Sequence, residues 1–212
     1  MSAPGRPLTR VALAGFGAIG GALADALLDG IEGFTLSAIA VRNREAARER
    51  LGARGRDVAV TDIEGLEALA DLVVECAPAA LLPAIATPFL EAGKTVVVLS
   101  AGALLGHPEL IDLARERGGQ IVVPSGAILG LDAVVAAAQG EIRRVTMTTR
   151  KPVGGLVGAP FLVENDIDIS SITEPMRIFS GTAREAAVGF PANLNVAVAL
   201  SLAGIGPDRT VL

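Results

Sequence analysis

Six residues near the amino terminus form the most distinctive chemical pattern of the chain, Gly15-Phe16-Gly17-Ala18-Ile19-Gly20. They match G-x-G-x-x-G and stand between a short apolar run and a helical pattern. In such a turn Gly15 permits the sharp bend, Gly17 lets a pyrophosphate approach the backbone, and Gly20 lets helix and strand pack closely. The start of the helix, at Ala18 and Ile19, offers N–H groups to the phosphates. The segment predicts a dinucleotide site, the alternative being a glycine-rich turn without a ligand.

The residues that follow the next apolar run bear on which coenzyme binds. About 20 positions after the glycines, an acidic residue is expected to hold the ribose 2′-hydroxyl. This chain instead reads Val41-Arg42-Asn43-Arg44. Because no carboxylate would repel a 2′-phosphate and two guanidiniums could pair with it, the sequence predicts that NADP is at least tolerated, with NAD or NADP as the preferred cofactor left open. The alternative is that Arg42 and Arg44 begin a solvated helix.

Few other residues have the chemistry of a nucleophile or a metal ligand. Cys76 is the single cysteine and ends an apolar run, and Ala77 follows it. The carboxyl ends of such strands face the ligand crevice, so Ala77 is a candidate cofactor contact. Cys76 is interpreted as a small buried residue, because no base is evident beside it. His107, the single histidine, precedes a helix and is interpreted as a surface residue, so the sequence predicts no metal site.

Two later segments carry groups suited to a nicotinamide or a carboxylate. Residues 124–130 include Ser125, Ala127 and two glycines, which would let the backbone approach a ring; the alternative is a flexible linker. Residues 190–195 place the amides of Asn193 and Asn195 at the start of a helix, where they suit a carboxamide or a carboxylate. The alternative there is ordinary capping of the helix.

The elements that would position these residues follow from hydrophobic periodicity. Strand-like runs alternate with helical patterns up to residue 124, which predicts a doubly wound parallel sheet, the Rossmann fold. The predicted strands are residues 10–14, 35–41, 58–60, 72–76, 95–99 and 120–123. From residue 125 to 212 the pattern changes, and we expect a second, smaller α+β domain with an antiparallel sheet. Its predicted strands are residues 141–151, 177–182 and 210–212, and its last helix is residues 191–203.

Composition excludes several classes of protein. The chain has 212 residues, of which 51% are hydrophobic and 19% charged, so a disordered chain is excluded. A net charge of −5 without Trp or Tyr argues against nucleic-acid binding. No apolar run approaches the roughly 20 residues of a membrane span, and residues 1–10 lack a signal-peptide pattern, so we expect a cytoplasmic protein that does not bind membranes.

Taken together, these segments resemble the L-aspartate dehydrogenase family. The resemblance rests on six stretches: Gly15 to Gly20, Pro124-Ser125-Gly126-Ala127 with Gly130-Leu131-Asp132, Arg150-Lys151-Pro152, Phe179 to Ala186, Phe190-Pro191-x-Asn193-x-Asn195-Val196, and Ser201 to Gly204 with Gly206-Pro207-Asp208. It implies a Rossmann domain with a smaller α+β domain, in a homodimer. It also implies NAD(P)-dependent oxidation of L-aspartate to iminoaspartate, which hydrolyses to oxaloacetate and ammonia and can feed NAD biosynthesis. Ala127 and Asn193 carry over as cofactor contacts.

The same resemblance implies a catalytic histidine beyond Leu212, so no catalytic residue is assigned within the sequence. We expect either that a carboxyl-terminal segment follows Leu212 or that the protein is a shortened homologue, and favour the first because the sequence stops inside a predicted strand. These 212 residues alone are expected to show almost no turnover. Two alternatives remain: a dehydrogenase or reductase of another small acidic substrate, and a non-catalytic NADP-binding homologue.

Overall fold

The computed structural model describes residues 7–191 and 194–212, and the chain divides there into two units. The first unit comprises the residues up to 100 together with 107–123; the second comprises 101–106 and the residues from 124 onward. Hydrophobic periodicity does not predict that residues 101–106 belong to the second unit. The predicted division into a cofactor domain and a substrate domain at residue 124 stays a prediction about function.

A six-stranded parallel sheet is the framework of the first unit. Its strands lie in the order β3-β2-β1-β4-β5-β6, and each neighbouring pair is parallel. The strands are β1 (Thr9–Ala14), β2 (Phe34–Ala40), β3 (Ala59–Thr61), β4 (Leu72–Glu75), β5 (Thr95–Val98) and β6 (Gln120–Val122). The predicted doubly wound fold is therefore confirmed, and every strand lies within one residue of its predicted bounds. The strand order reverses between β1 and β4, which is where ligands bind in such sheets.

Helices cover both faces of this sheet. The helices of the first unit are α1 (Ala18–Gly30), α2 (Arg44–Leu51), α3 (Leu82–Glu91) and α5 (Pro108–Arg117). The described helices of the second unit are α4 (Ala101–Leu104), α6 (Leu131–Ala137), α7 (Pro160–Glu164), α8 (Ala183–Gly189) and α9 (Asn195–Ala203). Ala12 and Leu13 of β1 are neighbours with opposite orientations, and both are fully buried. Leu27 of α1 and Leu51 of α2 belong to the core on one face. No helix in the described parts of the chain is long and apolar enough to cross a bilayer.

The second unit contains short helices, a small two-stranded sheet and an aromatic cluster of Phe161, Phe179 and Phe190, whose ring centroids lie 5.2–5.6 Å apart. The sheet pairs β7 (Val145–Thr146) with β8 (Thr210–Val211).

The prediction that this small sheet is antiparallel is wrong for the pair of β7 and β8, because the two strands run parallel. Among the described residues, antiparallel pairing is seen at the isolated bridge between Thr182 and Val211. Hydrophobic alternation shows that a strand is half buried but carries no information about its direction. The long connection between β7 and β8 contains three helices and permits a parallel crossover. The strand predicted over residues 177–182 is otherwise irregular, and the helix predicted from residue 191 begins as α9 at Asn195.

Candidate functional site

The glycine-rich turn joins β1 to α1, and the protein's own packing requires two of its glycines. Gly15 has φ +105°, and a Cβ there would lie 2.4 Å from the carbonyl oxygen of Cys76. A Cβ on Gly20 would lie 2.3 Å from the carbonyl oxygen of Gly15. Contacts this short to backbone atoms cannot be relieved by a rotamer change. Gly15 and Gly20 are thus fixed by the turn itself.

Gly17 differs from both, because packing within the chain does not require it. Apart from its two chain neighbours, no atom of the described residues lies within 4 Å of the position that its Cβ would take. Gly17 is exposed and is the N-cap of the 13-residue helix α1, with no side chain capping the helix and no acidic residue in its first turn. The first N–H groups of the helix, next to the exposed Ala18 and Ile19, therefore face open space. Open space beside a glycine, at the positive end of a helix, fits a pyrophosphate.

The residues after β4 lie against this turn. The N–H of Cys76 donates to the carbonyl oxygen of Ala14 at 2.8 Å, which continues the β1–β4 pairing one residue beyond β4, next to the turn. Ala77 follows and is partly buried. Gly15 and Ala77, both predicted coenzyme contacts, thus follow β1 and β4, the two strands between which the strand order reverses. Burial, with a smaller contribution from the charge of Glu75, raises the pKa of the Cys76 thiol to about 11, so Cys76 is a poor nucleophile.

Glu75, which sequence reasoning missed, is the fully buried last residue of β4. Its Oε2 accepts hydrogen bonds from the N–H groups of Leu99 at 3.1 Å and Ser100 at 2.8 Å, and its Oε1 accepts one from the Ser100 hydroxyl at 3.0 Å. Burial raises the pKa of Glu75, and the hydrogen bonds oppose that shift in part. The sequence does contain a signal for this site, the one acidic residue in the apolar run LVVEC. An acidic residue inside a strand of a sheet that is covered on both faces needs buried hydrogen-bond partners.

The two arginines after β2 are placed differently from each other. Asn43 caps α2, its side chain accepting a hydrogen bond from the N–H of Ala46 at 3.1 Å. Arg44 is engaged by the carboxylate of Asp62 at 2.5 Å. Arg42 is exposed, and within residues 7–191 and 194–212 no hydrogen bond or ion pair holds its side chain. Of the two, Arg42 is the one available to a phosphate.

Arg50 of α2 also reaches the glycine-rich turn, which no sequence motif indicated. Its Nη1 donates to the carbonyl oxygen of Phe16 at 2.8 Å, and its guanidinium carbon lies 4.3 Å from the centre of the Phe16 ring. A Cβ on Gly21 would lie 1.7 Å from Arg50 Nη2, so Gly21 provides the space that this guanidinium occupies. The doublet Gly20-Gly21 indicated a close approach at the start of α1, but the sequence does not say by which residue.

The predicted contacts of the second unit are described only in part. Ala127 is exposed in the loop before α6, next to Gly126 with φ +63°. Asn193 lies outside the described residues. Asn195 accepts a hydrogen bond from the N–H of Gly102 at 3.3 Å, so its amide is used within the unit. The assignment of Ala127 and Asn193 as cofactor contacts stays a prediction.

His107 lies at the start of α5, with its Nδ1 2.7 Å from Glu109 Oε1. Within the described residues, no cluster of three or more histidine, cysteine or acidic side chains could hold a metal ion.

Two family models match the chain. The aspartate dehydrogenase, C-terminal model matches residues 132–212, and the homoserine dehydrogenase, NAD binding domain model matches residues 15–124. Among solved structures, aspartate dehydrogenase from Thermotoga maritima superposes with a TM-score of 0.69. That match covers 96% of this chain and 76% of the other at 21% identity, which shows the shared fold.

Two curated relatives are much closer in sequence. L-aspartate dehydrogenase from Bradyrhizobium diazoefficiens is 57% identical over 201 residues, which are 95% of this chain and 71% of the relative. L-aspartate dehydrogenase 3 from Bordetella bronchiseptica is 55% identical over 203 residues, which are 95% of this chain and 75% of the relative. Because this identity extends over nearly the whole chain and the aspartate dehydrogenase, C-terminal model matches residues 132–212, the chain belongs to the L-aspartate dehydrogenase family.

Proposed function

We propose that this protein is an NAD(P)-dependent L-aspartate dehydrogenase. It oxidises L-aspartate to iminoaspartate, which water converts to oxaloacetate and ammonia. The observation that carries the proposal is the 57% identity, over 95% of this chain, to a relative named L-aspartate dehydrogenase. The open position at Gly17 supports the coenzyme part of the proposal, because packing within the described chain gives no reason for a glycine there.

The bound coenzyme supplies an acceptor for the hydride that leaves the Cα of aspartate. The part of this chain is to hold it. The first amides of α1 bind the pyrophosphate, and Gly15 and Gly20 keep the turn close enough to β4 for Ala77 to line the same site. Ala127 and Asn193 are proposed as further coenzyme contacts, as the resemblance to the family implies.

Positive charge near the end of β2 supports the use of NADP. The Arg42 side chain makes no hydrogen bond or ion pair with the described residues. The Arg50 guanidinium is held at the glycine-rich turn by its hydrogen bond to the Phe16 carbonyl oxygen. A 2′-phosphate prefers guanidinium partners, because their donors match its oxygens. We therefore propose that NADP binds at least as well as NAD.

Proton transfer also needs a group, since the substrate amine must lose its proton before hydride can leave. We assign this step to no described residue. The His107 ring pairs with Glu109 at the start of α5. The pKa of Cys76 is about 11, so its thiol keeps its proton at neutral pH and cannot act as the base.

We further propose a cytoplasmic homodimer whose iminoaspartate is available to NAD biosynthesis, as the family resemblance implies. Large apolar side chains on the second unit support self-association: Leu129 is 95%, Val157 72% and Val188 70% exposed. Sedimentation velocity tests this part of the proposal, which predicts a single species of twice the chain mass. A monomer at micromolar concentration contradicts it.

Turnover by the full-length gene product, with L-aspartate, L-homoserine and small hydroxy acids in parallel, tests the activity. The proposal predicts NAD(P)H formation with L-aspartate and little with the others. Preference for another substrate favours the alternative of a dehydrogenase for a different small acid. Coenzyme binding without turnover of any of them favours a non-catalytic homologue.

A further inference from the structure

Glu75 is an unusual residue for the interior of a parallel sheet. It is fully buried at the carboxyl end of β4, where the neighbouring positions Val73 and Val74 are apolar. Among the ion pairs of the described residues, none includes Glu75. A buried charge without a counter-charge costs stability, and an apolar residue of similar size would not. The fold alone therefore gives no reason for a carboxylate here.

The hydrogen bonds around Glu75 match its ionised form. The N–H groups of Leu99 and Ser100 can only donate, and both point to Oε2. The Ser100 hydroxyl lies 3.0 Å from Oε1 and donates to it. Three donor groups converge on the two oxygens, and the two N–H groups at Oε2 cannot accept a hydrogen bond, so Oε2 carries no proton. Such convergence is what stabilises a buried carboxylate.

The position of Glu75 relates this charge to the coenzyme site. Glu75 is paired in register with Ala14, the residue before Gly15, and with Val98 of β5. In a doubly wound sheet, a dinucleotide crosses the reversal of strand order, here between β1 and β4. Its adenosine half lies toward the end of β2, where the ribose is recognised, so its nicotinamide half lies on the side of β4 and β5. Glu75 belongs to that side.

We propose that Glu75 is a positioning residue whose buried negative charge favours the oxidised over the reduced coenzyme. The proposal rests on the proposed function, since it requires that NAD(P) binds. The nicotinamide ring is positively charged when oxidised and neutral when reduced, whereas the phosphates are the same in both forms. The charge of Glu75 therefore acts on the difference between the two affinities. The hydrogen bonds from Leu99 and Ser100 hold the carboxylate in place, and Ser100 ties it to the end of β5.

Removing the charge with little change of shape is the direct test. In Glu75→Gln the amide oxygen can still accept from both N–H groups, and the amide nitrogen can donate to the Ser100 hydroxyl. Dissociation constants for NADP⁺ and NADPH are measured by calorimetry in the wild type and in the variant. For two unit charges about 10 Å apart at an effective dielectric constant of about 20, the Coulomb attraction is worth roughly tenfold in an equilibrium constant. We expect Glu75→Gln to weaken NADP⁺ about tenfold and to leave NADPH nearly unchanged.

Two controls separate charge from structure. Ser100→Ala removes one hydrogen bond but keeps the charge, and Glu75→Asp keeps the charge on a shorter side chain. Both are expected to retain the wild-type ratio of the two dissociation constants, even where both affinities fall together. Glu75→Met is a second neutral variant, so that the test survives if the glutamine protein does not fold.

An unchanged ratio in a folded neutral variant overturns the inference, as does an equal loss of both coenzyme forms. In either case the wild type still binds the coenzymes, and the proposed function stands. A wild type that binds neither NADP⁺ nor NADPH overturns the proposed function and this inference with it.

Discussion

Arg50 and Phe16 form a clamp across the glycine-rich turn. The guanidinium donates a hydrogen bond to the Phe16 carbonyl oxygen at 2.8 Å and lies over the Phe16 ring at 4.3 Å. The contact joins α2 to the turn that precedes α1, and Gly21 leaves the space for it. It also places a permanent positive charge beside the proposed coenzyme site.

Replacing Arg50 tests that clamp. Arg50→Ala removes both the charge and the hydrogen bond that holds the turn, so we expect NADP⁺ affinity to fall about tenfold, or about 1.4 kcal/mol. Arg48→Ala is the matched control, because Arg48 is an exposed arginine of the same helix with no side-chain partner among the described residues. Calorimetric titration with NADP⁺ measures both variants. Equal affinities in the two proteins would show that the clamp has no part in binding.

Coenzyme preference should depend on Arg42. Arg42→Asp places a carboxylate at the end of β2, where it repels a 2′-phosphate and can accept a hydrogen bond from a 2′-hydroxyl. We expect the dissociation constant for NADP⁺, measured by calorimetry, to rise by at least about tenfold while that for NAD⁺ falls or stays constant. Arg44→Ala should have a smaller effect, because Asp62 already engages Arg44. The interpretation fails if the wild type uses NAD far better than NADP and Arg42→Asp changes neither constant.

Replacing Gly17 by alanine should weaken coenzyme binding, whereas replacing Gly20 by alanine should destabilise the fold. In Gly17→Ala the new methyl group meets no atom of the described chain, so the melting temperature should stay close to that of the wild type while coenzyme affinity falls. In Gly20→Ala the methyl group would lie 2.3 Å from the Gly15 carbonyl oxygen, which should cost about 1–3 kcal/mol of unfolding free energy. Thermal unfolding, with and without NADP⁺, separates the two effects. A large loss of stability in Gly17→Ala would contradict the open position.

The buried carboxylate of Glu75 makes stability depend on pH. Because burial raises its pKa in the folded state, its contribution is favourable below the unfolded pKa and is lost as pH rises through the folded value. Glu75→Gln cannot titrate, so its stability relative to the wild type should increase as pH rises above the unfolded pKa of about 4.3. Urea unfolding at several pH values measures this difference. A difference that is constant over the range, or that falls, would contradict the direction of the pKa shift.

The sequence contains enough information for the parallel sheet but not for the contacts that complete the site. Each strand of the first unit is an apolar run bounded by polar or glycine residues, and a helix separates most neighbours, so periodicity and the rules of parallel sheets suffice. The glycine-rich turn is a local motif for the same reason. Arg50 is 34 positions from Phe16, and Ser100 is 25 positions from Glu75. Such pairings depend on the three-dimensional path of the chain.

The second unit was harder to predict because its elements are short. β7 and β8 have two residues each. Two residues are too few for hydrophobic alternation to identify a strand or its pairing partner. Near residue 180, the consecutive apolar residues Ile178 and Phe179 pack against the small core of the second unit without belonging to a regular strand. Buried apolar side chains can thus suggest a strand where backbone pairing is confined to one end of the segment, here Gly181 with Leu212.

The most direct test of the account is calorimetric titration of the purified protein with NADP⁺ and NAD⁺, alongside Gly17→Ala. The account predicts saturable binding of at least one coenzyme with one site per chain, and a clear loss of affinity in the variant at unchanged melting temperature. Absence of binding by both coenzymes to a folded wild-type protein would contradict it.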